Sequence, residues 1–471
     1  MAGAGGTQDL TPGWPDQTYE LESFGGVREI FSSSPSDDGP PSRNPPNLPG
    51  VPVFDSRFHF MGCGTGQDEL VCRDLDWLSA NYTHLSLNND EGGDVSEVTR
   101  RRSAEVPDSV QPHLAPRATG AARDFKVAQQ RNGQNTFTTT SSTYPTGNNG
   151  QFLANLNQNA GFYNLADAYD CENPRVVSTG DQNAAGYHAE HIIEENTVPE
   201  QWSFMMTGQV RRTTVFPQFI EPRLPLMPVG LMGQGSVFTQ PWSQWDSGAP
   251  PGTHPDANIS PEREMWDLIG SFVHPENMVN AHAAINLHKM RMVRGFMALG
   301  EDFWKEHEFD DTSLQTGEAR FEEAVSFLRL YTAVFEYLND NTVHAAMERV
   351  TQGFAALFQR FDDRLRATGR IAQDGPRSNH LYRRYLHSVL LPRIEASSTG
   401  YFRLIDRLTG NWNQALARID PNTQPRLRNR ITGMLRTLDV MRRHAMQYDP
   451  VREGASGLFK IRKDGLPPPP P

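Results

Sequence analysis

The stretch EARFEEAVSFLRLYTAVFEYL, residues 318–338, decides the fold class of this chain. Its apolar side chains recur every three or four positions, which is the spacing of one face of an α-helix. The recurring positions are Phe321, Val325, Leu328, Thr332, Phe335 and Leu338. This stripe predicts an amphipathic helix that buries one face against neighbouring elements.

Helical spacing continues on both sides of this stretch. It predicts helices over residues 262–273, 280–299, 342–366, 379–396, 401–419 and 426–448. In residues 280–299 the expected apolar side consists of Ala283, Ala284, Leu287, Met290, Val293 and Met297. Gly369 and the Asp420-Pro421 pair separate helices, and Pro392 is expected to kink or end the helix that contains it. Because the links are short, we expect an antiparallel bundle.

The first 150 residues differ in composition and are rich in Gly, Pro, Ser, Asn and Asp. Such sequences bury too little apolar surface to offset the entropy lost on folding. We therefore predict a largely disordered acidic region at 1–150, with a small folded element near 53–87. This region is followed by a mixed α/β segment at 151–260, a helical domain at 261–450 and a tail at 451–471. The predicted fold class is mainly α, with a C-terminal helical bundle preceded by the mixed α/β segment and the disordered N-terminal region.

Local patterns give three further expectations. Residues 136–150 are rich in Thr, Ser, Asn and Gly, and we expect a loop there. The apolar residues between 152 and 165 lie at near-helical spacing, which favours a helix. The sequence Arg175-Val-Val-Ser indicates a short strand, because β-branched residues favour strands.

The net charge of −12 conceals a division of charge along the chain. Residues 341–463 contain 22 Lys and Arg against 10 Asp and Glu, and 20 of these cations are Arg. A basic surface can bind RNA through its phosphates. The residues that would have to share one surface are Arg364, Arg366, Arg383, Arg384, Arg428 and Arg430. The alternative is that the acidic and basic parts pack together or remain solvated.

The three cysteines, Cys63, Cys72 and Cys171, match no zinc-binding spacing, and a Cys63–Cys72 bridge stays open. No apolar run approaches the roughly 20 residues of a membrane span. Residues 1–10 lack the charged and apolar parts of a signal peptide. We therefore expect a cytoplasmic protein, or a secreted one if the true start lies upstream.

The candidate site lies in YHAEHIIEE, residues 187–195, where two imidazoles and three carboxylates come within eight positions. If residues 183–198 form a helix, His188 and His191 share a face that Glu194 or Glu195 can reach. His188, His191, Glu194 and Glu195 would then bind a divalent metal, and His191 and Glu190 would carry catalysis. Further ligands would have to come from elsewhere, and the candidates are His282, His288, Glu301, Glu306 and His307.

Two other interpretations of this patch remain. The spacing is not the His-Glu-x-x-His of the common metalloproteases. If Glu190 and His191 lie on a strand instead, the pattern is typical of the start of a His/Asn/His nuclease finger, although the sequence after Asn196 does not fit. The third interpretation is an ordinary helix with a salt-bridged histidine.

Two motifs carry a resemblance to a known family. They are Tyr187-x-x-Glu190-His191-Ile-Ile-Glu194 and, farther along, Val334-Phe-Glu-Tyr-Leu-Asn339. Over residues 150–450 the chain resembles the region downstream of the catalytic barrel in fungal killer-toxin-like chitinases. The barrel, the chitin-binding cysteines and the signal peptide are missing. The resemblance implies a fungal, toxin-associated architecture and carries no chitinase activity.

Together these observations favour a non-enzymatic interaction or toxin-associated fungal protein that acts through its helical domain and has a protein partner. The first alternative is a metal-dependent hydrolase or nuclease centred on the patch, with a divalent metal as cofactor. The second is an Arg-rich RNA-binding protein.

Overall fold

The predicted helical stripe forms a helix over Gly317–Asn339. All six positions of the stripe are buried, and so are Phe327, Leu330 and Val334 on its other sides. A helix that is apolar on every side lies inside a protein. The computed structural model describes residues 122–131, 135–145, 162–167, 170, 173–179, 187–213, 215–244, 258–296, 299–313 and 316–448. The expected element near 53–87, the three cysteines and the tail lie outside these residues.

The described elements are mainly helical, which confirms the predicted fold class. The strands are β1 Asp124–Ala128, β2 Thr136–Thr140, β3 Phe162–Leu165, β4 Val176–Thr179, β5 Tyr187–His191, β6 Gln209–Val210, β7 Phe219–Ile220 and β8 Met278–His282. The helices are α1 Thr197–Thr207, α2 Val229–Met232, α3 Pro261–Leu268, α4 Ala283–Arg294, α5 Glu301–Glu306, α6 Gly317–Asn339, α7 Asn341–Ala367, α8 Ser378–Tyr385, α9 Leu391–Leu416 and α10 Pro425–Met446. None of these helices combines the length and apolarity that a membrane crossing requires.

A four-stranded sheet with the order β4-β3-β8-β5 lies beside the helices. Strand β8 runs parallel to β3 and antiparallel to β5, while β3 and β4 are antiparallel. Two antiparallel pairs, β1 with β2 and β6 with β7, lie apart from this sheet. The short strand expected at Arg175-Val-Val-Ser is confirmed as β4.

The central helix α6 packs against α4, α7, α9 and α10, and the hairpin β1–β2 packs on α1. One cluster of buried apolar side chains extends from Val127 on β1 to Ala445 on α10. The hairpin, the sheet and the helices therefore share a hydrophobic core.

Three local predictions were wrong. Residues 136–140 form strand β2 and residues 162–165 form strand β3, where a loop and a helix were expected. The helix predicted from residue 280 begins at Ala283, because residues 278–282 form β8. Strand β2 pairs with β1 in a hairpin, whereas β3 and β8 pair with each other across a long stretch of sequence. Short apolar runs fit either conformation, and the pairing decides between them. The strand β2 also places a hairpin inside the stretch expected to be largely disordered.

Pro392 lies in the first turn of α9. The preceding turn, Leu386–Leu390, is a single π-helical turn that joins α8 to α9. Proline has no N–H to donate, so a widened turn before it relieves the ladder of helical hydrogen bonds. The expected break at Pro392 is thus a local distortion. Residues 401–416 belong to the same helix as Pro392 and do not start a new one.

Candidate functional site

The patch at residues 187–195 is a strand followed by a turn. Strand β5 pairs with β8 in a register that places Glu190 opposite Val279 and His191 opposite Met278. The helix predicted for residues 183–198 was therefore wrong, because backbone pairing with β8 fixes the segment in an extended form. Ile192 and Ile193 then enter the core, and α1 begins only at Thr197.

Glu190 on β5 and Glu194 just after it share one cation, the ammonium of Lys289. Its Nζ lies 2.6 Å from Glu190 Oε1 and 2.6 Å from Glu194 Oε1. It also donates a hydrogen bond of 2.6 Å to the backbone carbonyl of His191. Two carboxylates and a carbonyl are a donor set typical of a divalent metal site, and here Lys289 takes the position of the cation.

This ion cluster, formed by Glu190, Glu194 and Lys289, is enclosed by protein. The side chains of Lys289 and Glu190 are 0% and 1% exposed, and that of Glu194 is 14% exposed. A substrate atom cannot contact Glu190 or Lys289 in this conformation. The cluster connects β5 to α4 and lies close to Tyr337 of α6.

Burial and charge act in opposite directions on the cluster. Burial, with the nearby charge of Glu194, raises the pKa of Glu190 to about 7, although Lys289 lowers it. Burial alone would lower the pKa of Lys289, but the charges of Glu190 and Glu194 outweigh it and raise that pKa. Lys289 therefore stays charged at neutral pH, and Glu190 is the member of the cluster that takes up a proton near this pH.

His191 is held as a neutral imidazole. Its Nε2 lies 3.0 Å from the carbonyl oxygen of Gly270, and Tyr144 packs edge-on against the ring at 4.6 Å. Burial lowers the pKa of His191 to about 4. Nε2 therefore carries the proton of the neutral ring and donates a hydrogen bond to the Gly270 carbonyl. This nitrogen is not available as a metal ligand or as a base toward water.

Gly270 is required for this contact. Its φ of +138° lies in a region that favours glycine. A Cβ at this position would lie 2.6 Å from Met278 Cγ and 3.0 Å from His191 Cδ2. The loop after α3 can therefore approach His191 only through a residue without a side chain.

Glu195 contacts Arg123, the residue before β1. Its Oε2 lies 3.0 Å from Arg123 Nη1, and Arg123 also donates to the Tyr144 hydroxyl. Burial raises the pKa of Glu195, while Arg123 opposes the shift. The predicted metal ligands Glu194 and Glu195 thus pair with different side chains, Glu194 with Lys289 and Glu195 with Arg123. The backbone of His188 lies in β5, and its side chain lies outside the described residues.

Four of the five candidate ligands from elsewhere serve other contacts, and Glu306 is the exposed last residue of α5. His282 caps α4 through Nδ1, which accepts from the N–H of Ala284. His288 bonds the carbonyl of Ala284 at 2.8 Å, and burial lowers its pKa to about 4. His307 pairs with Glu323, and Glu301 with Arg407. Within the described residues no group of three or more His, Cys, Asp or Glu side chains could hold a metal ion.

Lys289 was not predicted to be buried, because the apolar face predicted for α4 differs from the face that is buried. Ile285, His288, Lys289 and Met292 are buried, whereas Leu287 and Met290 are partly exposed. The spacing of Lys289 from Ile285 and Met292 is the signal that could have found it, because four and three positions place all three on one side. A lysine on the buried side of a helix requires a partner carboxylate.

The arginines proposed to share one RNA-binding surface make varied contacts. Arg383 donates to Asn379 Oδ1, and Arg364 also interacts with the rest of the chain. Arg384 pairs with Glu221 and Arg430 pairs with Glu318. Arg428 donates to the carbonyl of Leu416 at the end of α9 and to that of Ile419 beyond it. Arg366 donates to carbonyls of the turn between α7 and α8. RNA binding by the full set remains a prediction.

Comparison with protein-family models found no match, and neither did comparison with curated proteins or with solved structures. The resemblance to the region downstream of the barrel in killer-toxin-like chitinases therefore remains a prediction.

Proposed function

We propose that the protein is a non-enzymatic binding protein that acts through its helical part, and that the patch at residues 187–195 is structural. The observation that carries this proposal is the pairing of Lys289 with both Glu190 and Glu194. A catalytic or metal-binding carboxylate has to reach a ligand, and these two already hold a buried protein cation.

His191 and Glu195 support the same conclusion. His191 donates to a backbone carbonyl and has a pKa far below neutrality. A general base works best with a pKa near the operating pH, so this imidazole is poorly suited to the task. Glu195 is paired with Arg123. The patch thus joins the sheet, the hairpin and α4, and the surfaces of the helices are left for recognition.

Metal analysis of the purified full-length chain tests this proposal. We expect no stoichiometric zinc or manganese and no change in Tm on adding either metal or EDTA. A bound metal would stabilise the fold by mass action, so a site would be visible as a concentration-dependent rise in Tm.

Two variants make the metal test specific. Glu194→Gln removes a carboxylate of the ion cluster, and Glu323→Gln removes one that pairs with His307 elsewhere. One equivalent of metal that is lost in Glu194→Gln and kept in Glu323→Gln would overturn the proposal and establish a metal centre at the patch.

A further inference from the structure

The turn between α7 and α8 carries a concentrated positive charge. Residues 364–384 contain six arginines and His380, with Asp374 as the only carboxylate in that segment. Within the described part of the chain, Arg377 makes no side-chain hydrogen bond or ion pair, and it directly precedes the first residue of α8. The segment belongs to the helical part through which the protein is proposed to act.

The backbone holds these cations in place. Arg366 on α7 donates to the carbonyl oxygens of Gln373, Gly375 and Pro376, which anchors its guanidinium beside the turn. Arg383 Nε donates to Asn379 Oδ1 at 3.2 Å. These contacts fix the position of the two guanidinium groups.

Helical spacing gathers the cations on the outer face of α8. His380 and Arg383 lie three positions apart on α8, so they neighbour each other on one side, and Arg377 directly precedes the helix. The opposite side is buried, since Leu381, Tyr382 and Tyr385 enter the core. His380 and Arg383 are partly exposed, and a ligand can reach this outer face from solvent.

His380 reports the local field. Its pKa is lowered, first by partial burial and then by the charges of Arg377, Arg383 and Arg366. A buried carboxylate, Asp362 on α7, faces the first turn of α8 and accepts from the N–H groups of Ser378 and Asn379, and the charge of Arg366 also acts on it. The three guanidinium groups therefore act together on one imidazole at the surface.

We propose that Arg366, Arg377, His380 and Arg383 form a binding site for a phosphomonoester group. A phosphomonoester carries close to two negative charges and three acceptor oxygens in a small volume. Guanidinium groups match this geometry with paired N–H donors. Arg377, His380 and Arg383 lie on α8 or directly before it, and Arg366 donates to the turn that precedes this helix of eight residues. This short stretch fits a single dianion better than the extended phosphodiester backbone of RNA.

This inference rests on the proposed function, and binding of inorganic phosphate and phenyl phosphate to the full-length chain tests it. We expect the His380 resonances to move on titration and the pKa of His380 to rise, because an adjacent anion favours the charged imidazole. Arg377→Gln is expected to weaken binding about tenfold or more, as loss of a charge-assisted hydrogen bond does.

Arg403→Gln is the matched control, since Arg403 is an exposed arginine on α9. It should bind both probes like the unaltered chain, and both variants should keep their Tm. Equal weakening in the two variants, or an unmoved His380 at saturating phosphate, would overturn the site. Binding of single-stranded RNA that phosphate does not displace would also overturn it and assign the surface to a nucleic-acid backbone. The metal measurements are independent of these readouts, so failure of the site and failure of the proposed function can be told apart.

Discussion

Replacing Lys289 with methionine is expected to lower the free energy of unfolding by about 3–5 kcal/mol at neutral pH. Methionine has a similar length, so the change removes the ammonium and leaves little cavity. Glu190 and Glu194 would then lie beside each other without the cation that both contact at 2.6 Å. Urea denaturation of both chains, followed by fluorescence, measures the difference.

Two comparisons separate charge from packing in this result. Lys305 on α5 is exposed, and Lys305→Met should change stability by less than about 0.5 kcal/mol. In a background with Glu190→Gln and Glu194→Gln, Lys289→Met should recover most of the loss, because no buried charge is then left unpaired. An equal loss in that background would show that Lys289 stabilises the protein by packing and not by pairing.

The helices of the C-terminal part could be predicted because their information is local. The stripe in residues 318–338 gave α6 to within one residue at each end. The predictions for α7 and α10 were similarly close. In these segments each turn repeats the apolar spacing, so no knowledge of the partner is needed.

The sheet could not be predicted in the same way. Strand β5 depends on pairing with β8, and Ala189 lies opposite Asn280, a residue distant in sequence. Charged residues such as Glu190 and Glu194 within a short apolar run suggest a helical surface when the run is considered alone. Only the partner strand and Lys289 explain why the run is extended and buried.

The candidate site was located by its concentration of charge, yet its chemistry depended on residues outside it. Lys289 and Arg123 supply the opposite charges, and neither lies near residues 187–195 in sequence. Hydrophobic patterns place lysine on the solvent side of a helix. A buried ion cluster breaks that rule, so the sequence showed where the acids were without showing what neutralised them.

The two buried imidazoles are expected to make stability fall on acidification, by about 3 kcal/mol each between pH 6.5 and pH 4. The pKa of His191 and that of His288 are both lowered from 6.5 to about 4 by burial. The unfolded chain binds protons at both sites as the pH falls through 6.5, whereas the folded chain does not. Their contribution is therefore complete above pH 6.5 and is lost as the pH falls to about 4.

The titration of Glu190 must be separated from that of the two histidines, because it changes the stability with pH in the opposite direction. Its pKa is raised from 4.5 to about 7, so its contribution is complete below pH 4.5 and is lost as the pH rises to about 7. His191→Gln and His288→Asn each keep a neutral donor in place of the ring. The unaltered chain should lose about 3 kcal/mol more than each variant between pH 7 and pH 4, measured by urea denaturation. Glu190→Gln should give a difference of opposite slope. A flat difference for either histidine variant would show that its imidazole titrates alike in the folded and unfolded chains, which contradicts its burial beside Gly270 or Ala284.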